Sequence, residues 1–194
     1  MTIFLARHGR TEWSVQGRYA GVSDIPLDEV GQGQARLLAR WARGARLTGV
    51  VSSPLVRARD TATGAAHAAK LQVRTDPRLR ELDFGVAEGL RRTELDPDTV
   101  RRFEADPVTD FLPGGEDPVL AVERVTECLR ELASGGRVLV VAHNTILRLA
   151  LCGLLGVPLA DYRRRLPLIE HGSVTELVFG PGGPALRRFN SPIQ

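Results

Sequence analysis

The chain has 194 residues, 43% hydrophobic and 25% charged, with a net charge of +3 from 26 basic and 23 acidic side chains. That length suits one domain with a full core, and the composition is that of a soluble globular protein. No apolar run nears the ~18–20 residues of a membrane span. Charge this close to balance gives a nucleic acid little to hold, although the pI is near 9.4.

The first predicted strand is Thr2–Arg7. Its apolar Ile3-Phe4-Leu5-Ala6 reads as a buried parallel strand and runs into Arg7-His8-Gly9. Asp28 is placed to cap a helix with Leu37, Leu38 and Trp41 along one stripe. A second strand, Gly49–Ser52, leads to Ser53-Pro54, a cap followed by proline at the first helical position. That helix turns Leu55, Ala58 and Ala62 inward. Gln72–Thr75 is the third strand. Leu90 to Gly115 is the least regular stretch and reads as a short insertion, not a second domain. A helix from about Pro118 to Leu132 carries Val122, Val125, Leu129 and Leu132 on one face. Strand Arg137–Ala142 follows, then a nearly all-apolar, buried helix from Thr145 to Leu155. Ser173–Phe179 is a fifth strand, Ala185–Phe189 a candidate sixth, and Asn190–Gln194 a loose tail.

Strands alternating with helices predict an α/β fold on a mostly parallel sheet. Cys128 and Cys152 lie in apolar helical patterns, which predicts buried free thiols in a reducing cytoplasm. The N-terminus enters a strand directly, with no signal-peptide pattern.

Chemistry-bearing residues recur where strands end, which is where open α/β sheets bind ligands. His8 follows the first strand beside Arg7, a permanent cation. A neutral imidazole next to a guanidinium fork suits attack on a phosphoryl group whose oxygens the arginine holds. Arg57 falls in the first turn of the helix after the second strand. Val140-Val141-Ala142-His143-Asn144-Thr145 repeats the His8 pattern: apolar strand, histidine, helix start. That helix start offers free N–H groups to an anion, and Asn144 either caps the helix or touches a ligand. Between Arg80 and Leu90 two carboxylates, Glu81 and Glu88, stand seven apart. One held in a partly dry pocket would have a raised pKa and would protonate a leaving oxygen. Metal-binding carboxylates at matching spacing, a G-x-S-x-G elbow and a Walker A loop are all missing from the sequence.

The ordered set of these motifs resembles the histidine phosphatase superfamily, also called the phosphoglycerate mutase-like family. The matches are Leu5–Trp13, Gly17-Arg18, Asp24–Leu27, Gly31 with Gln34-Ala35, Ser52–Leu55 with Arg57-Ala58 and Thr61-Ala62, Arg80–Leu82 with Phe84-Gly85 and Glu88-Gly89, Pro113–Glu116, and Val141–His143. The resemblance implies a three-layer α/β/α sandwich formed by residues 1–194 as one domain, the insertion at about 90–115 lying over the active site. It implies His8 as nucleophile, Glu81 as acid, and Arg7, Arg57 and His143 around the phosphoryl group. Thr11, Ser14, Gly21 and Asn144 would add substrate contacts.

The chain departs from the family pattern at Ser14, where Asn is frequent, at Asn144, where Gly follows the second histidine, and at Asp117, where Ser is usual. These changes bear on the substrate and remove no catalytic group. Only about 25 residues separate Glu88 from Gly114, where family mutases carry a longer insertion. The expectation is therefore a cytoplasmic phosphomonoesterase acting on a small phosphorylated metabolite without metal or other cofactor. It would have no nucleic-acid or membrane partner, and a homodimer is left open. Trp13, Tyr19 and Arg101-Arg102-Phe103 are candidates for the outer pocket. The alternatives are a phosphoglycerate mutase-type isomerase, a nucleotide-loop (alpha-ribazole phosphate) phosphatase of cobalamin synthesis, and a non-catalytic phosphate-binding module.

Overall fold

A computed structural model describes residues 1–193. Six strands form one sheet: β1 (Thr2–Arg7), β2 (Gly49–Ser52), β3 (Val73–Thr75), β4 (Arg137–Ala142), β5 (Ser173–Gly180) and β6 (Gly183–Pro192), in the order β3-β2-β4-β1-β5-β6. The four strands from β3 to β1 run parallel, and β5 and β6 close that edge antiparallel. The sheet is thus mixed and mostly parallel.

Side-chain alternation along the strands builds the layers. Ile3, Leu5, Val138 and Val140 face one buried cluster under α5 (Pro118–Ala133) and α6 (Asn144–Leu155). Phe4, Ala6, Leu139 and Val141 face another under α2 (Glu29–Gly44) and α3 (Val56–Ala68). Each fully buried Leu or Ile contributes roughly 1.5–3 kcal/mol. The central strands are therefore anchored in both layers, and their carboxyl ends are fixed by that packing. Asp28 caps α2 as expected, its carboxylate accepting from the Gly31 N–H at 2.7 Å. Gly9 and Gly31 let the chain after β1 press on the start of α2. A Cβ on Gly9 would lie 2.5 Å from the Gly31 carbonyl oxygen.

Four sequence expectations are corrected. The Asn190–Gln194 tail is not loose where described: Asn190 to Pro192 complete β6, and buried Ile193 donates its N–H to the Gly172 carbonyl at 3.1 Å. Gln194 lies outside the described residues. Ser53 does not cap α3, which starts after Leu55 with no side-chain cap, because the Ser53 hydroxyl is drawn to His143. Leu90–Gly115 contains a regular helix, α4 (Pro97–Ala105), capped by Asp96, whose carboxylate accepts from the Thr99 N–H at 2.8 Å. Finally, β3 starts at Val73, one residue later than expected.

Cys128 and Cys152 are buried free thiols, as expected, pushed up to about 12 and about 11 by burial. No helix among the described residues is long and apolar enough to cross a membrane.

Candidate active site

Adjacent parallel strands bring the candidate groups together. In register, Arg7 pairs with Ala142 and Ser52 with Val141, so β1, β2 and β4 end side by side. The His8 N–H continues the ladder to the Ala142 carbonyl at 2.9 Å, and the Ser53 N–H does the same to Val141 at 2.9 Å. His8 and His143 thereby stand with ring centroids 5.1 Å apart.

The His8 ring has a defined tautomer. Its Nδ1 lies 2.7 Å from the Gly9 carbonyl oxygen, which only accepts, so Nδ1 carries the proton and Nε2 keeps the lone pair. Burial first, then the neighbouring His143, Arg7 and Arg57, hold its pKa well below the usual imidazole value. The ring is neutral at physiological pH. The loop below is braced as well: the Gly9 N–H donates to Thr61 Oγ1 at 2.9 Å, and that hydroxyl donates to the Arg57 carbonyl at 2.6 Å.

A cavity of about 310 Å³ opens beside His8, walled by Arg7, Thr11, Ser14, Glu81 and Asn144 among others. The Arg7 Nη1 donates to the Ile169 carbonyl at 3.1 Å, while its buried Nε has no partner. Burial lowers the Arg7 pKa to about 10, so it stays a cation. Thr11 and Ser14 close a capping box at the start of α1 (Glu12–Gln16), the Thr11 N–H donating to Ser14 Oγ at 2.8 Å. Asn144 does not cap α6. Its Oδ1 accepts from the Ile169 N–H at 3.0 Å and pins the segment before β5.

Glu81 takes the place an incoming anion was expected to occupy at the α6 N-terminus. Its carboxylate accepts from the N–H groups of Thr145 (2.9 Å), Ile146 (2.8 Å) and Leu82 (3.1 Å). Those donors favour the anion, yet complete burial outweighs them and its pKa is raised. The Asn144 N–H remains available to a ligand.

Three predicted residues stand behind the wall. Arg57, fully buried, donates from Nε to His143 Nδ1 at 3.2 Å and from its other nitrogens to the carbonyls of Ala20, Gly21 and Ser23. Four of its five N–H bonds are thus committed. Because His143 Nδ1 accepts, Nε2 carries the ring proton and donates to Ser53 Oγ at 2.7 Å. Burial, then Arg57 and Arg7, hold the His143 pKa well below the usual value. Gly21 contributes no cavity surface; its N–H donates to the Glu88 carboxylate at 2.9 Å, and a Cβ there would meet the Leu82 carbonyl at 2.3 Å. Glu88 also accepts from the Ser23 N–H at 3.0 Å, so it shapes the loop that Arg57 clamps.

Of the outer-pocket candidates, Tyr19 and Phe103 line the cavity. Trp13 packs against Gly89, and Arg101 pairs with Asp98 at 2.9 Å on the exposed face of α4. Three contributors went unread in the sequence. His171 donates from Nδ1 to the His8 carbonyl at 2.6 Å. Arg148 and Arg163 reach the cavity from α6 and α7 (Tyr162–Arg165). Only Arg148 left a signal: it is the one charge in an apolar helix, four residues after Asn144 and so on its face.

The arrangement offers a neutral imidazole with a free lone pair, fixed positive charge around it and a carboxyl group whose pKa burial raises. Such a set can pass a phosphoryl group through nitrogen.

The probable phosphoglycerate mutase GpmB of Proteus mirabilis (strain HI4320) is 38% identical over 174 residues, which is 87% of this chain and 80% of that protein. Mycobacterial glucosyl-3-phosphoglycerate phosphatase superposes with a TM-score of 0.89 at 28% identity over 98% of each chain. The alpha-ribazole phosphatase of Shigella flexneri superposes with a TM-score of 0.89 at 27% identity, over 100% of this chain and 98% of that one. The sequence profile of the histidine phosphatase superfamily (branch 1) matches residues 3–192, nearly the whole chain, and the chain belongs to that superfamily.

Proposed function

We propose that the protein is a phosphomonoesterase that hydrolyses a small phosphorylated metabolite through a phosphohistidine on His8. The observation that carries this reading is the His8 ring: Nδ1 is committed to the Gly9 carbonyl, Nε2 is unprotonated, and the ring stays neutral beside Arg7. Nε2 attacks phosphorus, the ester P–O bond breaks, and protonated Glu81 gives its proton to the departing oxygen. The Glu81 carboxylate then takes a proton from water, the water oxygen bonds to phosphorus, and the P–N bond breaks. Arg7, Thr11 and the Asn144 N–H supply donors to the phosphoryl oxygens as charge grows there, with the buried Arg57 cation behind them, held in place by His143. The fixed charge comes from side chains, and no metal is assigned a role.

Phosphate release from a panel of phosphomonoesters tests this, with His8→Ala as control. The panel holds 3-phosphoglycerate, sugar phosphates, nucleoside monophosphates and para-nitrophenyl phosphate. His8→Ala is expected to lose on the order of 10³-fold or more; a variant within tenfold of wild type removes His8 as nucleophile. EDTA is expected to leave the rate unchanged, and a loss restored by added metal would overturn the metal-free scheme.

The mutase reading has its own support in the 38% identity to a probable phosphoglycerate mutase. Phosphate exchange between phosphoglycerates, with no net phosphate release, would favour it. The chemically specific solved neighbours, named as phosphatases, and the short 90–115 segment favour water as acceptor.

A further inference from the structure

Of Glu81 and Glu88, the two carboxylates set seven apart, only Glu81 enters the reaction scheme. Glu88 spends its carboxylate on backbone. Oε2 and Oε1 accept from the Gly21 N–H at 2.9 and 3.1 Å, and Oε1 also accepts from the Ser23 N–H at 3.0 Å. The approach is close, since a Cβ on Gly21 would lie 2.8 Å from Oε2. Arg57 stands on the other side of the same loop. Its Nη2 donates to the carbonyls of Ala20 (3.1 Å) and Gly21 (2.9 Å), and its Nη1 donates to that of Ser23 (2.7 Å).

The two charges therefore meet through backbone. The amide joining Ala20 and Gly21 gives its N–H to Glu88 and its C=O to Arg57. A trans peptide points those two groups in opposite directions, so its dipole lies between the anion and the cation. Each bond in such a row polarises the next. Arg57 needs that support. It is fully buried, and burial lowers its pKa, while Glu81, Asp24 and Glu88 raise it. Glu81 starts the reaction protonated, so it does not hold the cation throughout. Asp24 commits its Oδ1 to the Val56 N–H at 2.6 Å, where α3 begins. Glu88 is the carboxylate tied to the guanidinium itself. The contacts run on from Arg57 Nε to His143 Nδ1 at 3.2 Å, and Ala20 of the same loop lines the cavity.

We propose that Glu88 is a positioning residue: acting through the backbone of Ala20 to Ser23, it sets the Arg57 guanidinium, and with it His143, behind the phosphoryl site. Its effect on rate rests on the phosphatase reading; its effect on Arg57 does not. Without the carboxylate, two partly buried N–H groups lose their acceptor, the loop relaxes, and Arg57 loses the set of carbonyls that aims it.

The Arg57 Nε–H is the direct reporter. Its NMR signal, assigned by its loss in Arg57→Lys, is protected from exchange with water by the bond to His143. Glu88→Ala is expected to speed that exchange about tenfold or more while the amides of β4 keep their rates. The same variant should lower kcat for phosphate release about tenfold and change KM by less than about twofold, because the substrate keeps its own contacts. Glu88→Gln keeps an acceptor within reach of both N–H groups and should lie between Glu88→Ala and wild type in both measurements. Should Glu88→Ala fail to fold, Glu88→Asp, one methylene too short for both N–H groups, is expected to speed the exchange about threefold. Unchanged Nε–H exchange in the folded variants overturns the inference, as does a loss of protection that spreads equally to β4. Faster exchange, with no phosphate released by the wild type from any ester of the panel, leaves the positioning standing and overturns the phosphatase reading. Phosphate release with unchanged exchange does the reverse.

Discussion

His8 and Glu81 show how one buried site pushes two pKa values in useful directions. Burial disfavours charge on both, so the imidazole stays unprotonated and the carboxyl is drawn toward its protonated form. Both shifts widen the pH range in which a neutral nucleophile faces a protonated acid. Replacing Glu81 with Gln removes the transferable proton but keeps an acceptor for two of the three backbone N–H groups. Glu81→Gln is expected to slow an alkyl phosphate by about 10²–10⁴-fold and para-nitrophenyl phosphate far less, because an aryl leaving group needs little protonation. Equal losses on the two substrates would take Glu81 out of the acid role. His8, Arg7 and Arg57 were legible because each ends or follows a strand in sequence, whereas only the family resemblance separated Glu81 from Glu88. His171 was not, because its contact is with a backbone carbonyl 163 residues away and no local pattern announces it.

At the scale of elements, the segment before β5 is held to the active site from two sides. Asn144 binds its Ile169 N–H, and His171 forms a bridge pairing with Arg7. The third fastening is Asn190 in β6. Its Oδ1 accepts from the Glu170 N–H at 3.0 Å and the Ser173 hydroxyl at 3.2 Å, and its Nδ2 donates to the Leu168 carbonyl at 2.8 Å. Asn190 sits at φ 50°, a conformation asparagine tolerates better than most residues. Asn190→Ala is expected to cost roughly 1–3 kcal/mol through lost hydrogen bonds and backbone strain. Asn190→Gly relieves only the strain, so the gap between the two variants measures it. Amide exchange at residues 168–173 should quicken in both, and unchanged exchange would mean that Asn190 fastens nothing. A polar, proline-containing terminus reads locally as a tail; only pairing with β5 makes it a strand. The same holds for Ser53, whose cap signal loses to a distant histidine. For α4 the signal was present, in Asp96-Pro97, but charged and irregular surroundings masked it.

Across the whole molecule, three buried or half-buried histidines share one electrostatic consequence. His8, His143 and His171 all have lowered pKa values, His171 to about 4, with burial the first cause in each. In the unfolded chain an imidazole titrates near 6.5. As pH falls through that value the unfolded state takes up protons that the folded state refuses, so stability present above about pH 6.5 is lost. Glu81 works in the opposite sense, since a raised carboxyl pKa favours the fold at lower pH, but it is one group against three. The paired surface carboxylates that matter for acid unfolding, such as Asp28 and Asp76, have lowered pKa values, and their contribution is lost only below the ordinary carboxylate range. The interval from pH 7.5 to 5 therefore reports the three histidines against the opposing contribution of Glu81. Calorimetric Tm is expected to fall by several degrees across it, on the order of one proton taken up per buried imidazole. His171→Gln, which keeps an N–H for the His8 carbonyl but cannot titrate, should flatten the slope by about a third while leaving the pH 7.5 value close to wild type. A Tm that holds steady or rises toward pH 5 would mean that these rings are solvated, and the neutral nucleophile on which the phosphoryl chemistry depends would lose its physical basis.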